Sequence, residues 1–196
     1  VITKVFNEWD PAVFMDCHTT NGSYHVAPVT FTWMVNPNGD NSLIKYMRSK
    51  MIPEMSERLL KEYKVENCYY GEFNDMMRPE TGWFYEAADP RYMSNYYGLR
   101  NRLAILNENY VFAGYEERVR GCYALIRSLA EYVSENKSEI SARIREADKR
   151  TIQRGLNPAD ADSFAIEFGV KPLPEKVTIM TYEAESVTDA QGRRRY

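Results

Sequence analysis

Histidine and cysteine are scarce in this sequence. Its 196 residues contain 2 histidines and 3 cysteines, and the cysteines show no C-x-x-C spacing. An odd number of cysteines without such spacing indicates neither a disulfide framework nor a cysteine zinc site. The chain also lacks an apolar run of the roughly 20 residues that a membrane-spanning helix needs. Because the formal net charge is only −3, nothing indicates a phosphate-binding surface, and we expect no nucleic-acid partner and no membrane span.

The spacing of apolar residues predicts an α/β fold. We expect short buried strands over residues 12–18, 65–73 and 103–106, and amphipathic helices over 1–9, 41–60 and 115–133. Asp40 or Asn41 is placed to cap the second helix, and Pro53 should kink it or restart it. Two long segments, 19–40 and 74–102, are predicted as loops, and loops of such length are usually functional. The alternation of strands and helices is typical of an α/β layered sheet.

The composition changes after residue 136. The stretch "NKSEISARIREADKRTIQRG" predicts a highly charged, solvated helix, and "EKVTIMTYEAESV" predicts an isolated strand. We therefore divide the chain into residues 1–136 and an extension over residues 137–196, which leads toward a further region.

Both histidines lie in the stretch "FMDCHTTNGSYH". Asp16 and His18 alternate along the predicted strand, so their side chains should share one face. A histidine at the end of a strand suits a metal site, in which a carboxylate such as that of Asp16 holds the second ring nitrogen. A hydrogen-bonded histidine in a polar pocket is the alternative. His25 is interpreted as a loop residue.

Glu108 follows the apolar stretch "LAIL" and is placed near the carboxyl end of another predicted strand. Open α/β sheets collect ligand-binding groups there, so Glu108 is a candidate general base. Alternatively, it pairs with Arg100 or Arg102. Those two arginines suit the recognition of a ligand carboxylate, or they pair with local acids. Tyr97, nearby, would either close over a ligand or pack in the core.

Taken in order, several stretches resemble the metallocarboxypeptidases of the carboxypeptidase A type, in their bacterial branch. They are "FNEWDPAVFMDCHTTNGSYH", "NPN", "GWFYEAADPRYMSNYYGLRNRLAILNENYVF" and "YEERVRGCYALIRSLAEYV". The resemblance implies a three-layer α/β/α sandwich with a mixed sheet. Residues 1–136 would be the later half of its catalytic domain, so the fold is expected to be incomplete in this chain.

The resemblance also implies roles for individual residues. The family binds zinc through an H-x-x-E motif and a later histidine, which His18 matches. Glu108 matches the glutamate that activates the zinc-bound water. Asp16 would hold the ring nitrogen of His18 that does not bind the metal. For recognition of the terminal carboxylate of the substrate, the candidates are Arg100, Arg102 and Tyr97. The substrate would be a peptide or amino-acid derivative cleaved near a free carboxylate.

The sequence departs from the family because it contains no H-x-x-E motif. A catalytic zinc normally has three protein ligands, and one histidine does not complete such a site. We therefore expect either the carboxyl-terminal part of a catalytic domain, which its interior-like start at Val1 favours, or a descendant that has lost the metal. Such a chain should be inactive alone, and an exposed sheet edge would favour a homo-oligomer.

Two other functions stay open from the sequence. One is an amidohydrolase that cleaves acylated amino acids on the same fold. The other is a non-catalytic binding module that uses the aromatic segments 24–33 and 83–97. Members of the family often act outside the cytoplasm, so the resemblance implies an extracellular or periplasmic location.

Overall fold

A mixed sheet of four strands organises the fold in the computed structural model, which describes residues 2–159, 162–171, 176–183, 187–192 and 194–195. In the main sheet the strand order is β1-β6-β2-β3, while β4 pairs with β5 and β7 with β8. Strand β6 runs parallel to β1 and antiparallel to β2, and β2 runs parallel to β3. The strands are β1 (Val13–Thr20), β2 (Val29–Trp33), β3 (Asn67–Tyr69), β4 (Glu72–Phe73), β5 (Trp83–Phe84), β6 (Leu103–Tyr110), β7 (Val187–Thr188) and β8 (Arg194–Arg195).

Within the described residues, four helices accompany the strands, together with a 3-10 turn over Pro79–Thr81. The Asp40 side chain accepts hydrogen bonds from the backbone N–H groups of Ser42 and Leu43, which confirms the predicted helix cap. A π-helical turn ends at Met51, two residues before Pro53, near where the sequence predicts an interruption. The helices are α1 (Ile2–Phe6 and Asn7–Trp9), α2 (Asn41–Tyr46, Met47–Met51 and Ile52–Lys61), α3 (Met93–Gly98) and α4 (Tyr115–Leu156).

The larger hydrophobic core lies between the sheet and helices α2 and α4. The apolar stripe of α2 faces this core, and the small side chains of α4 let that helix approach the sheet closely. The Tyr46 and Tyr132 hydroxyls meet at 3.0 Å between the two helices, so both buried phenols have a hydrogen-bond partner. Fully buried members of the core are Val29, Phe31, Leu43, Met47, Met51, Ile52, Met55, Leu59, Leu103, Ile105, Leu125 and Ala147.

A smaller core lies on the opposite face of β1 and β6, where α1 and α3 pack. Phe6, Tyr97 and Ala104 are buried there, and the rings of Phe6 and Tyr97 have centroids 4.1 Å apart. Phe14 on β1 completes the cluster with a tilted ring 5.2 Å from Tyr97. Alternation along the strands explains this division, since successive side chains point to opposite faces.

Strand β2 lies inside a segment that the sequence predicts to be a loop. All five of its residues are buried between β6 and β3, so the prediction is wrong for residues 29–33. Thr30 is tolerated in this position because its hydroxyl donates a hydrogen bond to the Glu108 carbonyl at 2.8 Å. The second predicted loop, 74–102, likewise contains β5 and α3. Strand β1, in contrast, is less buried than predicted, because it lies at the edge of the sheet.

Helix α4 continues well past residue 136. The sequence predicts a solvated helix beyond residue 136. In the structure one face of this helix is buried, because Ile140, Ile144 and Ala147 pack in the larger core. The predicted strand over residues 175–187 lies partly outside the described residues. Of its described residues, 176–183 form no strand and only Val187 does, as the first residue of β7. Val26 donates a backbone hydrogen bond to the Met180 carbonyl at 2.9 Å. None of the described helices is both long and apolar enough to cross a membrane.

Candidate functional site

A cavity of about 560 Å³ opens at the carboxyl ends of β1 and β6. Because the two strands are parallel, their carboxyl ends meet at one edge of the sheet, and loops from the middle of the chain close the other sides. Such an edge is where open α/β sheets commonly bind ligands. The lining of the cavity includes Asp16, His18, Tyr70, Glu72, Phe84, Tyr85, Glu86, Arg91, Tyr92 and Glu108.

His18 and Glu108 stand side by side on neighbouring strands. They are Cα partners in the parallel ladder, so their side chains emerge on the same face of the sheet. Asp16 shares that face, and its Oδ2 lies 3.0 Å from His18 Nε2. The two side chains therefore lie in contact on one face, as alternation along the strand predicts. This contact leaves His18 Nδ1 as the second ring nitrogen.

The Glu108 carboxyl is held in an environment that favours its protonated form. Burial raises the pKa of Glu108 above its ordinary value, the charge of His18 opposes that change, and the charge of Asp16 adds to it. A carboxylate whose pKa is raised accepts a proton more readily near neutral pH. The environment of Glu108 therefore suits the role of a general base.

Tyrosines form the wall of the cavity opposite the strands. The rings of Tyr70 and Tyr85 have centroids 5.5 Å apart. The Tyr85 hydroxyl is buried and has no hydrogen-bond partner among the described residues, and burial raises its pKa. A buried phenol without a partner is free to donate to a ligand oxygen. Tyr85 lies in the aromatic segment 83–97 that the sequence indicates as a possible binding surface, whereas Tyr70 lies in the predicted strand 65–73 and had no separate signal.

Arg91 stands at the rim of the cavity. Its side chain is 75% exposed, its guanidinium lies 4.8 Å from the centroid of the Tyr92 ring, and it donates to the Tyr92 hydroxyl at 2.8 Å. Of the arginines near the predicted site, Arg91 is the one that lines the cavity.

Tyr97, Arg100 and Arg102 do not line the cavity. Tyr97 is fully buried in the smaller core, where its hydroxyl donates to the Pro11 carbonyl at 2.8 Å and burial raises its pKa to about 12. Arg100 donates to the Asn7 side chain at 2.9 Å. The structure therefore does not bring these three residues together with His18 and Glu108. Tyr97 and Arg100 instead form hydrogen bonds with residues away from the cavity.

Arg102 joins three parts of the fold. It donates to Asp10 Oδ2 at 2.6 Å and to Asp148 Oδ2 at 3.0 Å, so it ties β6 both to the residue after α1 and to α4. The hydrogen bond from Arg102 lowers the pKa of Asp10. Only 13% of the Arg102 side chain is exposed, so its guanidinium is used for these two ion pairs and is not available to a ligand in the cavity.

His25 is a loop residue, as predicted, and it is buried. Its ring lies against that of Tyr110 with a centroid distance of 4.0 Å, and burial lowers its pKa. It does not line the cavity. The two histidines of the chain therefore have separate roles.

The zinc ion that the resemblance implies would need more donors than this site supplies. Across the described residues, no group of three or more histidine, cysteine, aspartate or glutamate side chains is arranged to hold a metal ion. His18 offers one imidazole, and the nearest carboxylate, Asp16, already holds that ring. Since a catalytic zinc normally has three protein ligands, these residues alone do not fit a complete zinc site.

Comparison of the chain with protein-family models, with curated proteins and with solved structures gave no match. The function proposed below therefore depends on the geometry of the cavity and on the sequence motifs that line it.

Proposed function

We propose that the chain supplies part of the catalytic site of a zinc carboxypeptidase-type hydrolase, which cleaves a peptide or amide bond near a free carboxylate. The observation that supports this most is the adjacency of His18 and Glu108 at the cavity. In this proposal the complete fold is a three-layer α/β/α sandwich, and residues 1–136 are its later half.

Glu108 is the general base of the proposed reaction. A water molecule attacks the carbonyl carbon of the scissile bond, Glu108 takes one of its protons, and the same carboxyl then gives a proton to the departing amine. The raised pKa of Glu108 supports both transfers, since the group has to accept and release a proton near neutral pH.

His18 is the metal ligand that this chain contributes. Asp16 holds Nε2, which leaves Nδ1 to bind the ion. In this class of enzyme zinc polarises the carbonyl and lowers the pKa of bound water. The described residues hold no complete ligand set, so in this proposal further ligands are added to the site. The open edge of β1 is where a second copy or another polypeptide would add its strands.

The aromatic wall supports a second candidate, a binding module without catalysis. Phe84, Tyr85 and Tyr92 line the cavity and offer flat apolar surfaces on which a peptide or a glycan would stack. An amidohydrolase for acylated amino acids, on the same fold, would use the same wall as an acyl pocket. Both hydrolases require turnover that depends on Glu108, whereas the binding module requires neither turnover nor Glu108.

Zinc binding tests the role of His18. We expect isothermal titration of the chain with Zn²⁺ to show weak one-to-one binding. The affinity for zinc should fall at least about tenfold in His18→Ala. His25→Phe is the matched control, because it removes the other histidine and keeps a ring against Tyr110. Equal zinc affinity in His18→Ala and in the unaltered chain would contradict the proposed ligand.

Turnover tests the role of Glu108. The assay needs zinc and the polypeptide that completes the metal site, since the chain alone should show no turnover. In that assembly, release of amino acid from an N-acylated dipeptide should fall at least about a hundredfold in Glu108→Gln. The control is Glu116→Gln, which changes an exposed glutamate in the first turn of α4. A dipeptide amide, which lacks the free carboxylate, should be a poor substrate. Binding of the dipeptide without turnover, unchanged in Glu108→Gln, would instead support the binding module.

A further inference from the structure

Two of the three cysteines meet on the face of the sheet opposite the cavity. Cys17 lies between Asp16 and His18 on β1, so its side chain points to the face that α4 covers. Its Cα partner on β6 is Asn107, and the amide of Asn107 donates to the Cys122 Sγ on α4 at 3.5 Å. The strand pairing and this contact place the two thiols next to each other.

The pair is accessible to a small reagent. Cys17 is exposed and Cys122 is partly buried. Burial raises the pKa of Cys122, and the neighbouring Cys17 thiol raises it further, which is consistent with the two side chains being in contact. Cys68 differs in both respects. It lies on β3 at the other edge of the sheet, and burial raises the pKa of its thiol to about 12.

We propose that Cys17 and Cys122 are a modification site at which a low-molecular-weight disulfide, such as oxidised glutathione, converts the two thiols into an intramolecular disulfide. The exposed Cys17 thiolate attacks the reagent, forms a mixed disulfide and releases one glutathione thiolate. The Cys122 thiolate then attacks Cys17 Sγ and expels the second glutathione. Two protein thiols are oxidised and one glutathione disulfide is reduced to two thiols, and the two protons that the protein thiols lose are taken up by the two expelled glutathione thiolates.

The cross-link would fix the strand end that carries His18 onto α4. It closes a loop of about one hundred residues, and cross-links of that length stabilise mainly by restricting the unfolded chain. We expect the thermal unfolding midpoint of the oxidised protein to rise by about 5–10 °C, reversed by dithiothreitol.

The test starts with the unaltered chain. The native protein is incubated with millimolar oxidised glutathione, its remaining thiols are alkylated, and peptide masses are measured. We expect one free thiol, at Cys68, and a peptide pair joined through Cys17 and Cys122. Three free thiols after prolonged incubation would overturn the proposal, as would a glutathione adduct on Cys17 that never transfers to Cys122.

Serine variants provide the controls. Cys68→Ser should form the cross-link and show the same rise in unfolding midpoint as the unaltered chain. Cys17→Ser and Cys122→Ser should show no rise, and Cys122→Ser should instead accumulate the glutathione adduct on Cys17. A rise in midpoint that survives in Cys17→Ser would refute the assigned pair.

Discussion

Helix α4 approaches β2 so closely at Gly121 that a side chain there should destabilise the fold. A Cβ atom built on Gly121 would lie 2.3 Å from Val29 Cγ2, whereas nonbonded carbon atoms are comfortable at roughly 3.5–4.0 Å. Val29 is fully buried in a central strand, so it has little room to move. We therefore expect Gly121→Ala to push the helix away from the sheet.

The size of the effect follows from two opposing terms. Replacing glycine with alanine inside a helix stabilises it by about 0.8–1 kcal/mol, and overpacking a core costs about 1–3 kcal/mol. With the contact this short, we expect a net loss of about 1–2 kcal/mol in the free energy of unfolding. Gly155 lies on the same helix with nothing within 4 Å of its Cβ position. Gly155→Ala should therefore stabilise by about 0.3–0.8 kcal/mol, less than the full value because the helix end frays.

Urea denaturation followed by circular dichroism measures both variants. Adding Val29→Ala to Gly121→Ala removes the atom that causes the clash, so the double variant should be more stable than the sum of the two single effects predicts. If Gly121→Ala proved as stable as Gly155→Ala, or if the double variant showed no coupling to Val29, the proposed close packing of α4 on β2 would be refuted.

Two further predictions concern His25 and Arg102. Because burial lowers the pKa of His25, the folded protein should lose stability as the pH falls below about 6.5, by at most about 1.4 kcal/mol per pH unit. His25→Phe should flatten the dependence of the thermal midpoint between about pH 7.5 and pH 5.5, and an unchanged slope would exclude His25 as its origin. Arg102→Met leaves Asp10 and Asp148 without their shared partner, and we expect a loss of about 1–3 kcal/mol in urea denaturation. Arg100→Met, the control, should change stability by less than about 0.5 kcal/mol, and equal losses in both variants would show that the ion pairs of Arg102 are unimportant.

The arrangement of Asp16, His18 and Glu108 could be predicted from the sequence because it depends on local rules. Alternation along a strand places Asp16 and His18 on one face, and the apolar residues before Glu108 place it at the end of a second strand. The 3.0 Å contact between Asp16 and His18 confirms the first inference. Only the pairing of the two strands in register, which brings His18 beside Glu108, required the structure.

Arg102 shows where local rules stop. Arg102 lies close to Glu108 in the sequence, but this does not indicate where its side chain points, because its partners come from distant parts of the chain. Asp10 precedes it by 92 residues and Asp148 follows it by 46. An arginine beside a candidate base is therefore weak evidence for a shared site until the surrounding acids have been located.

The burial of strand β2 and of the end of α4 is not visible in local sequence for a related reason. Thr30 and Thr32 interrupt the apolar residues of β2, and the burial of this strand is decided by β6 and β3, which are remote in sequence. In α4, charged residues outnumber the apolar ones beyond residue 136. Ile140, Ile144 and Ala147 nevertheless recur at helical spacing, and that stripe is the part that packs in the core.

The position of β1 at the edge of the sheet has a consequence for the cavity itself. Within the described residues β1 has a neighbouring strand, β6, on one side only. A strand that added to the other side would have to align with the residues that include Asp16 and His18. Its side chains would then stand next to theirs in the pleat, at about 5 Å. A strand that paired with this edge would therefore form a wall of the cavity, and its side chains would decide which groups face His18 and Glu108.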